Sequence, residues 1–130
     1  MRTPAILHLP LAAQAEPQRI WINENAKPHE KAIFKTSFEL KGTVKTATLT
    51  FTCDNGAVAF LNGQKAGDNP DWQQPTKADV TRLVNAGTNE LRFEAKNNDG
   101  GAALVVSLAV ELQNGTTMTI ESGPEWQAAA

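Results

Sequence analysis

The segment TATLTFTC (residues 46–53) alternates threonine with an apolar residue along its whole length. Successive side chains of a β-strand point to opposite faces, so Ala47, Leu49, Phe51 and Cys53 fall on one face and the threonines on the other. Threonine is β-branched and fits an extended backbone well. The segment therefore predicts a strand with one face in a core and the other toward solvent.

The same two-residue period recurs along most of the chain. Further strands are predicted by the alternating or apolar runs at residues 32–40, 57–61, 89–97, 102–112 and 116–121. Turn signals rich in Asn, Asp and Gly separate these runs about every ten residues. About nine short strands at this spacing are typical of an all-β protein, an antiparallel β-sandwich of the jelly-roll type.

Two segments depart from the alternating pattern. The polar stretch GDNPDWQQP (residues 67–75) predicts an exposed loop. The stretch KADVTRLV (residues 77–84) predicts at most one helical turn, which Asp79 would cap. We expect both segments to connect strands of the sandwich.

The segment CDNGAVAFLNGQ (residues 53–64) holds turn signals on both sides of a short apolar run. Asn62-Gly63 predicts a tight hairpin turn, because both residues tolerate positive φ. We expect Val58 and Phe60, in the run between the turns, to point into the core. The Asp54-Asn55 pair then either stabilises the turn or forms part of a ligand site. It serves a ligand only if the loop containing Trp72 lies at the same end of the sandwich.

Composition limits the classes to which this chain can belong. Its 130 residues suit one domain, and 41% hydrophobic with 20% charged residues is a globular balance. The net charge is −2 and no run of Lys or Arg occurs, which argues against a nucleic-acid partner. Cys53 is the one cysteine and is expected to be a small buried residue. His8 and His29 are isolated in sequence, so a zinc site is not predicted.

The first residues resemble a secretory leader. Arg2 precedes a mild apolar stretch that ends in Ala13-Gln14-Ala15, so residues 1–15 are predicted to be a signal peptide and residues 16–130 the mature domain. The alternatives are a disordered tail or a misplaced start codon. No apolar run approaches the ~20 residues that span a bilayer. The expected location is therefore secreted or periplasmic, with no membrane span.

Several motifs follow one another in a recognisable order between Trp21 and Trp126. They are Asp54–Gly56, Leu61–Gly63, Asp79–Thr81 and Gly87–Asn89. In this combination residues 19–127 resemble the galactose-binding-like domains appended to bacterial glycoside hydrolases of the rhamnosidase and galactosidase types. The resemblance implies a jelly-roll sandwich whose first and last strands lie side by side. It leaves the function open, since many members only brace a neighbouring domain.

Three polar clusters supply the residue types that sugar recognition requires. An aromatic ring packs on the C–H face of a sugar, and planar polar groups bond its hydroxyls. We predict that Trp72, Asp71, Asn97, Asn55 and Asp54 line one shallow site. The alternative for Trp72 is to fold back over the sheet as a lid on the core.

Nothing in the sequence predicts catalysis. Glu39, Glu90, Glu94 and Glu111 fall on outward strand positions rather than in pairs at a cleft. No Ser or Cys nucleophile with a His partner appears, and no glycine-rich loop precedes a helix.

A structural calcium ion is the one cofactor that the resemblance implies, as an alternative to a metal-free domain. Calcium takes about six to eight oxygen ligands. The candidate ligands are Asp54, Asp68 and Asp99.

These observations predict a non-catalytic, carbohydrate-binding accessory module of an exported bacterial protein, with a weak site and an association with glycoside hydrolases. The alternative is a structural or protein-interaction module that braces a neighbouring catalytic or redox domain without binding a small ligand.

Overall fold

The computed structural model describes residues 1–6 and 17–130, which form two antiparallel sheets packed face to face. One turn of 3-10 helix (Thr81–Leu83) accompanies the strands. The strands are β1 (Ala5–Ile6), β2 (Ile20–Trp21), β3 (Lys31–Leu40), β4 (Val44–Asp54), β5 (Gly56–Leu61), β6 (Gln64–Asn69), β7 (Thr76–Asp79), β8 (Gly87–Lys96), β9 (Ala103–Leu112), β10 (Thr117–Glu121) and β11 (Gln127–Ala129).

The two sheets have different strand orders. The β4/β9 sheet runs β1-β2-β9-β4-β7, and β10 also pairs with β9. The β3/β8 sheet runs β11-β3-β8-β5-β6. The predicted all-β sandwich is confirmed. The described residues hold eleven strands, close to the nine or so predicted, and β1, β2 and β11 are only two or three residues long.

The core lies between the sheets and follows the predicted period of two. The four apolar residues of the TATLTFTC segment are buried, as predicted. Phe51 of β4 packs edge-on against Phe93 of β8 with ring centroids 5.0 Å apart, which joins the two sheets. Trp126 lies 5.9 Å from Phe93 on the same side of the core. Burial raises the pKa of the Cys53 thiol to about 12, consistent with the expected role of a small core residue.

The prediction for strand β5 is wrong about which residues face inward. Ala57, Ala59 and Leu61 are buried, whereas Val58 and Phe60 lie on the outer face of the β3/β8 sheet. Both alternating sets of this strand are apolar, so the pattern leaves the face undecided. Phe60 is partly covered by the guanidinium of Arg92, 4.7 Å above its ring.

The turn after β5 has the predicted geometry. Asn62 and Gly63 both have positive φ, at 53° and 82°. These values fit a tight hairpin whose turn matches the twist of the flanking strands. The turn leads directly into β6, which pairs with β5.

The two irregular segments contain more strand than expected. Strand β6 continues to Asn69, so the loop between β6 and β7 covers residues 70–75, and β7 occupies the start of the predicted helical stretch. The single helical turn is confirmed, but the predicted cap is not, because the N-cap residue is Val80 and it has no side-chain cap hydrogen bond. Asp79 accepts hydrogen bonds from the hydroxyl of Thr81 at 2.6 Å and from its amide at 3.0 Å, and these bonds lower the pKa of Asp79.

Asn69 anchors the loop that carries Trp72. Its side chain is fully buried, and Oδ1 accepts a hydrogen bond from the Cys53 amide at 3.1 Å. Nδ2 donates to the Gln74 carbonyl at 2.9 Å and to Oγ1 of Thr76 at 3.0 Å. One side chain therefore holds both ends of the loop against strand β4.

The N-terminal residues belong to the sandwich in this structure. Strand β1 pairs with β2, and the Arg2 backbone exchanges two hydrogen bonds with Ala128 of β11. The Arg2 guanidinium donates to the Ile22 carbonyl at 2.9 Å. The N-terminal residues thus reach β11 through an isolated bridge, but β1 and β2 belong to one sheet and β11 to the other, so the expected side-by-side pairing of the first and last strands is not observed. The predicted cleavage after Ala15 lies outside the described residues and stays a prediction.

We expect Asn69→Ala to lower the free energy of unfolding by about 2–4 kcal/mol, because it leaves a buried amide, a carbonyl and a hydroxyl without their partner. Urea denaturation measures the loss, and the native-state reaction of Cys53 with a thiol reagent should accelerate as this edge opens. Asn114→Ala, in an exposed turn, is the control and should cost less than about 1 kcal/mol. Equal stability of the two variants would contradict the anchoring role.

We expect deletion of residues 1–6 to lower the melting temperature by several degrees, because β1 and the bridge to β11 are lost together. Scanning calorimetry of the full chain and the truncated chain makes the comparison. Arg2→Ala, which keeps the backbone bridge and removes only the guanidinium contacts, should have a smaller effect. An unchanged melting temperature in the truncated chain would show that β1 adds no stability.

Candidate functional site

The loops that carry the three predicted polar clusters lie at one end of the sandwich. Strand β4 ends beside the start of β9, where Asp54 is opposite Ala103. Strand β5 begins opposite the end of β8, with Gly56 beside Lys96. The β6–β7 loop leaves from the same end, because Asn69 is opposite Ala57. The condition set by the sequence, that the Asp54-Asn55 turn and the Trp72 loop share an end, is met.

Asn55 ties two of these loops together. Its Oδ1 accepts hydrogen bonds from the amides of Asn98 at 2.8 Å and Asp99 at 3.4 Å. Its own amide donates to the Lys96 carbonyl at 3.0 Å. The side-chain NH₂ of Asn55 has no hydrogen-bond partner among residues 1–6 and 17–130. Asn55 therefore keeps a donor group that can serve a ligand.

Asp54 lies next to Asn55 and has a perturbed carboxyl group. Partial burial raises the pKa of this carboxyl, and the charge of Arg19 opposes the rise. The Asp54 carboxyl group offers acceptor oxygens at the end of strand β4.

Asn97 is fully buried and holds loops in place. Its Nδ2 donates to the carbonyls of Lys27 at 2.9 Å and Gly100 at 3.0 Å, and its amide donates to the Glu30 carbonyl. Its Oδ1 is buried without a partner among the described residues. A saccharide on the surface does not reach this side chain, so in this structure Asn97 is a positioning residue rather than a contact.

Glu30 is a second anchor, which the sequence analysis missed. Its carboxylate accepts hydrogen bonds from Trp21 Nε1 at 2.7 Å, Asn23 Nδ2 at 2.6 Å and the Lys27 amide at 3.2 Å. These bonds fix the β2–β3 loop beside the Asn97 loop. Its partners all lie within nine residues of it in the sequence, but they do not form a recognised capping or turn motif, so the sequence analysis did not single out Glu30.

Trp72 is exposed rather than folded over the core. Half of its surface, 50%, is accessible, and it is the one exposed residue among the tryptophans and phenylalanines of the chain. Its carbonyl accepts a hydrogen bond from the Thr52 hydroxyl at 2.7 Å. Asp71, also exposed, accepts from the Gln73 amide at 3.0 Å in a local turn. The loop therefore presents its indole to solvent from a fixed backbone.

An open cleft of about 560 Å³ lies at this end, on the outer side of the β3/β8 sheet. Trp72 does not line it, although Pro70 of the same loop does. Its polar lining comes from Lys31, Lys96, Asn55, Asn98, Asp68 and Glu94. The sequence analysis did not single out the lysines for a role, since each is an ordinary outward strand residue. The predicted single site is therefore divided between the cleft and the neighbouring Trp72 loop.

The predicted calcium ligands do not form a cluster. Among residues 1–6 and 17–130, no three His, Cys, Asp or Glu side chains gather closely enough to hold a metal ion. Asp99 uses its Oδ1 to accept a hydrogen bond from the Gly100 amide at 2.8 Å. Asp54 lies on β4 and Asp68 lies on β6 opposite Val58. The carboxylates present do not fit a calcium site of the predicted composition.

The described part of the chain contains no helix of the length and apolar character needed to cross a membrane.

Solved structures with the same fold include α-L-rhamnosidases and a lectin. The chain superposes on α-L-rhamnosidase of Streptomyces avermitilis, solved with L-rhamnose, with a TM-score of 0.74 and 26% identity over 81% of this chain and 11% of that one. For α-L-rhamnosidase of Aspergillus terreus the TM-score is 0.68 and the identity is 23%, over 81% of this chain and 16% of that one. For the Pleurotus ostreatus lectin, solved with GalNAc, the TM-score is 0.79 and the identity is 19%, over 98% of this chain and 40% of that one.

The chain thus spans only a small part of the rhamnosidases and less than half of the lectin. No protein-family model and no curated protein matches the sequence significantly. The shared architecture nevertheless agrees with the order of motifs and with the sheet topology. The chain has the fold of a galactose-binding-like β-sandwich domain.

Proposed function

We propose that this domain is a non-catalytic carbohydrate-binding module of an exported bacterial protein, secreted or periplasmic and associated with glycoside hydrolases. The observation that carries the proposal is the exposed indole of Trp72 at the same end of the sandwich as a polar cleft. An exposed indole costs solubility, and a sugar-stacking role accounts for it.

The chemistry at this end suits a sugar. The indole of Trp72 offers a flat apolar surface to the C–H face of a pyranose ring, and Asp71 lies beside it to accept from hydroxyls. The Asn55 NH₂ and the Asp54 carboxylate supply a donor and an acceptor at the adjacent turn. Asn97 supports this arrangement from within. Because the cleft is open and shallow, binding of a single sugar is weak, and an oligosaccharide that spans the cleft and the loop binds best.

Several carboxylates that could otherwise serve as the catalytic pair of a hydrolase already have partners within the protein. Glu90, Glu94 and Glu111 form ion pairs with Lys35, Arg92 and Lys45 on outward faces. Glu30 accepts hydrogen bonds from three donors. These assignments favour binding over hydrolysis.

A bracing module is the second candidate. The chain corresponds to only 11–16% of two rhamnosidase chains, as expected for one domain among several. The outer face of the β3/β8 sheet exposes part of Ile33, Val58 and Phe60, which offers a neighbouring domain an apolar contact. In that case Trp72 has no ligand.

We expect Trp72→Ala to weaken binding to the best ligand of a glycan array by about tenfold or more, because the stacking surface is removed. Trp72→Phe should retain part of the affinity. Titration calorimetry with that ligand measures the change, and circular dichroism verifies the fold, which an exposed side chain should not disturb.

Met118→Ala provides the matched control, since Met118 is also exposed and apolar but lies on β10. Its affinity should equal that of the unchanged protein. A folded protein that binds no glycan would favour the bracing module, and binding that is indifferent to Trp72→Ala would remove Trp72 from the site.

A further inference from the structure

Two lysines stand side by side in the lining of the cleft. Lys31 of β3 and Lys96 of β8 are directly opposite each other in the antiparallel register, and both side chains are exposed. Cβ atoms of directly opposed residues are about 5 Å apart, and like charges in such positions repel. Neither lysine forms an ion pair with a carboxylate in the described part of the chain.

A second cationic pair on the same two strands shows the contrast. Lys35 is directly opposite Arg92. Each of these has a carboxylate partner, Glu90 at 3.9 Å from Lys35 and Glu94 at 3.2 Å from Arg92. The repulsion between Lys35 and Arg92 is therefore compensated within the protein. The repulsion between Lys31 and Lys96 is not compensated by a carboxylate in the described part of the chain, so an anionic ligand could compensate it.

The surroundings of Lys96 leave space for a ligand. Its neighbour on the other side is Gly56, which has no side chain to fill the surface. A Cβ atom at Gly56 would come within 3.3 Å of the Asn69 carbonyl, so the end of β6 packs tightly against this glycine. Gly56 and Lys96 both line the cleft.

Two asparagines in the lining add further hydrogen-bond donors. Asn55 and Asn98 both line the cleft, and their side-chain NH₂ groups have no partner within residues 1–6 and 17–130. Of the two carboxylates in the lining, Glu94 is engaged by Arg92. Asp68 lies on β6, with β5 between it and β8. The cleft is therefore rich in donors, and with Glu94 paired to Arg92 its remaining charged groups, Lys31, Lys96 and Asp68, leave an excess of one positive charge, although the whole chain has a net charge of −2.

We propose that this cleft recognises an anionic group on a saccharide, with Lys31 and Lys96 as the charge-recognition residues and Asn55 and Asn98 as additional donors. The shared chemistry is a carboxylate, as in a uronic acid, or a sulfate ester. This inference rests on the proposed carbohydrate-binding function and names the ligand class. Two lysines in one pocket, without a basic stripe around them, fit one anionic group better than a nucleic-acid backbone.

The test uses the full chain and ligands that differ only in charge. Oligogalacturonate and its methyl ester have the same ring hydroxyls, and the ester lacks the charge. We expect the acid to bind about tenfold more tightly than the ester at low ionic strength, with the difference shrinking as salt is added. A 6-sulfated galactan oligosaccharide, compared with the unsulfated form, distinguishes a sulfate ester from a carboxylate as the preferred anion.

Lys31→Gln/Lys96→Gln should abolish the preference for the acid. Lys35→Gln/Lys45→Gln removes the same number of positive charges from exposed strand positions outside the cleft and should retain the preference. Equal binding of charged and uncharged saccharides by the unchanged protein would overturn the inference and leave carbohydrate binding intact. A folded protein that binds no saccharide would overturn both proposals. Binding of a DNA oligonucleotide through Lys31 and Lys96 in place of saccharides would also overturn the inference.

Discussion

The contact between Phe51 and Phe93 joins the two sheets, and the positions of the functional loops depend on it. Each ring lies on a long central strand of its sheet, β4 or β8, and both rings are almost completely buried. Large aromatic rings provide much of the apolar area that holds a sandwich together. With β4 and β8 fixed against each other, the turn after β4 and the loop after β8 meet at the same end.

The two ends of the sandwich differ in how their polar groups are used. At the end opposite the cleft, Asn62 donates to the Leu83 carbonyl and to Asn89 and accepts from the Glu90 amide. Asn89 bonds the amide and carbonyl of Asn85. The polar groups of these side chains therefore form hydrogen bonds within the fold and are not available to a ligand. At the cleft end, buried Asn69 and Asn97, with Glu30, hold the loops, and the exposed groups of Trp72, Asn55 and Lys96 are left available. Such a division preorganises a site, because the backbone is fixed before a ligand arrives.

The likeness to rhamnosidases and to a lectin concerns the fold, and the fold alone supports several functions. What distinguishes this chain is therefore its own surface at the loop end. The exposed indole argues for a sugar ring, and the opposed lysines argue for a charged one. Both features lie outside the core, where a change of residue would not alter the sandwich.

The sequence by itself determined the fold class, the limits of the long strands and the turn at Asn62-Gly63, because these depend on a local period of two and on local φ preferences. It also indicated Trp72, since a tryptophan among polar loop residues has little apolar surface nearby to cover it. The inward face of β5 depended on tertiary structure, because both of its faces are apolar and only packing against β8 chooses between them. The burial of Asn97 and the pairing of Lys31 with Lys96 were likewise decided by tertiary structure. Each of these joins residues from separate strands or loops, and the register that brings them together is a property of the whole sheet rather than of any segment.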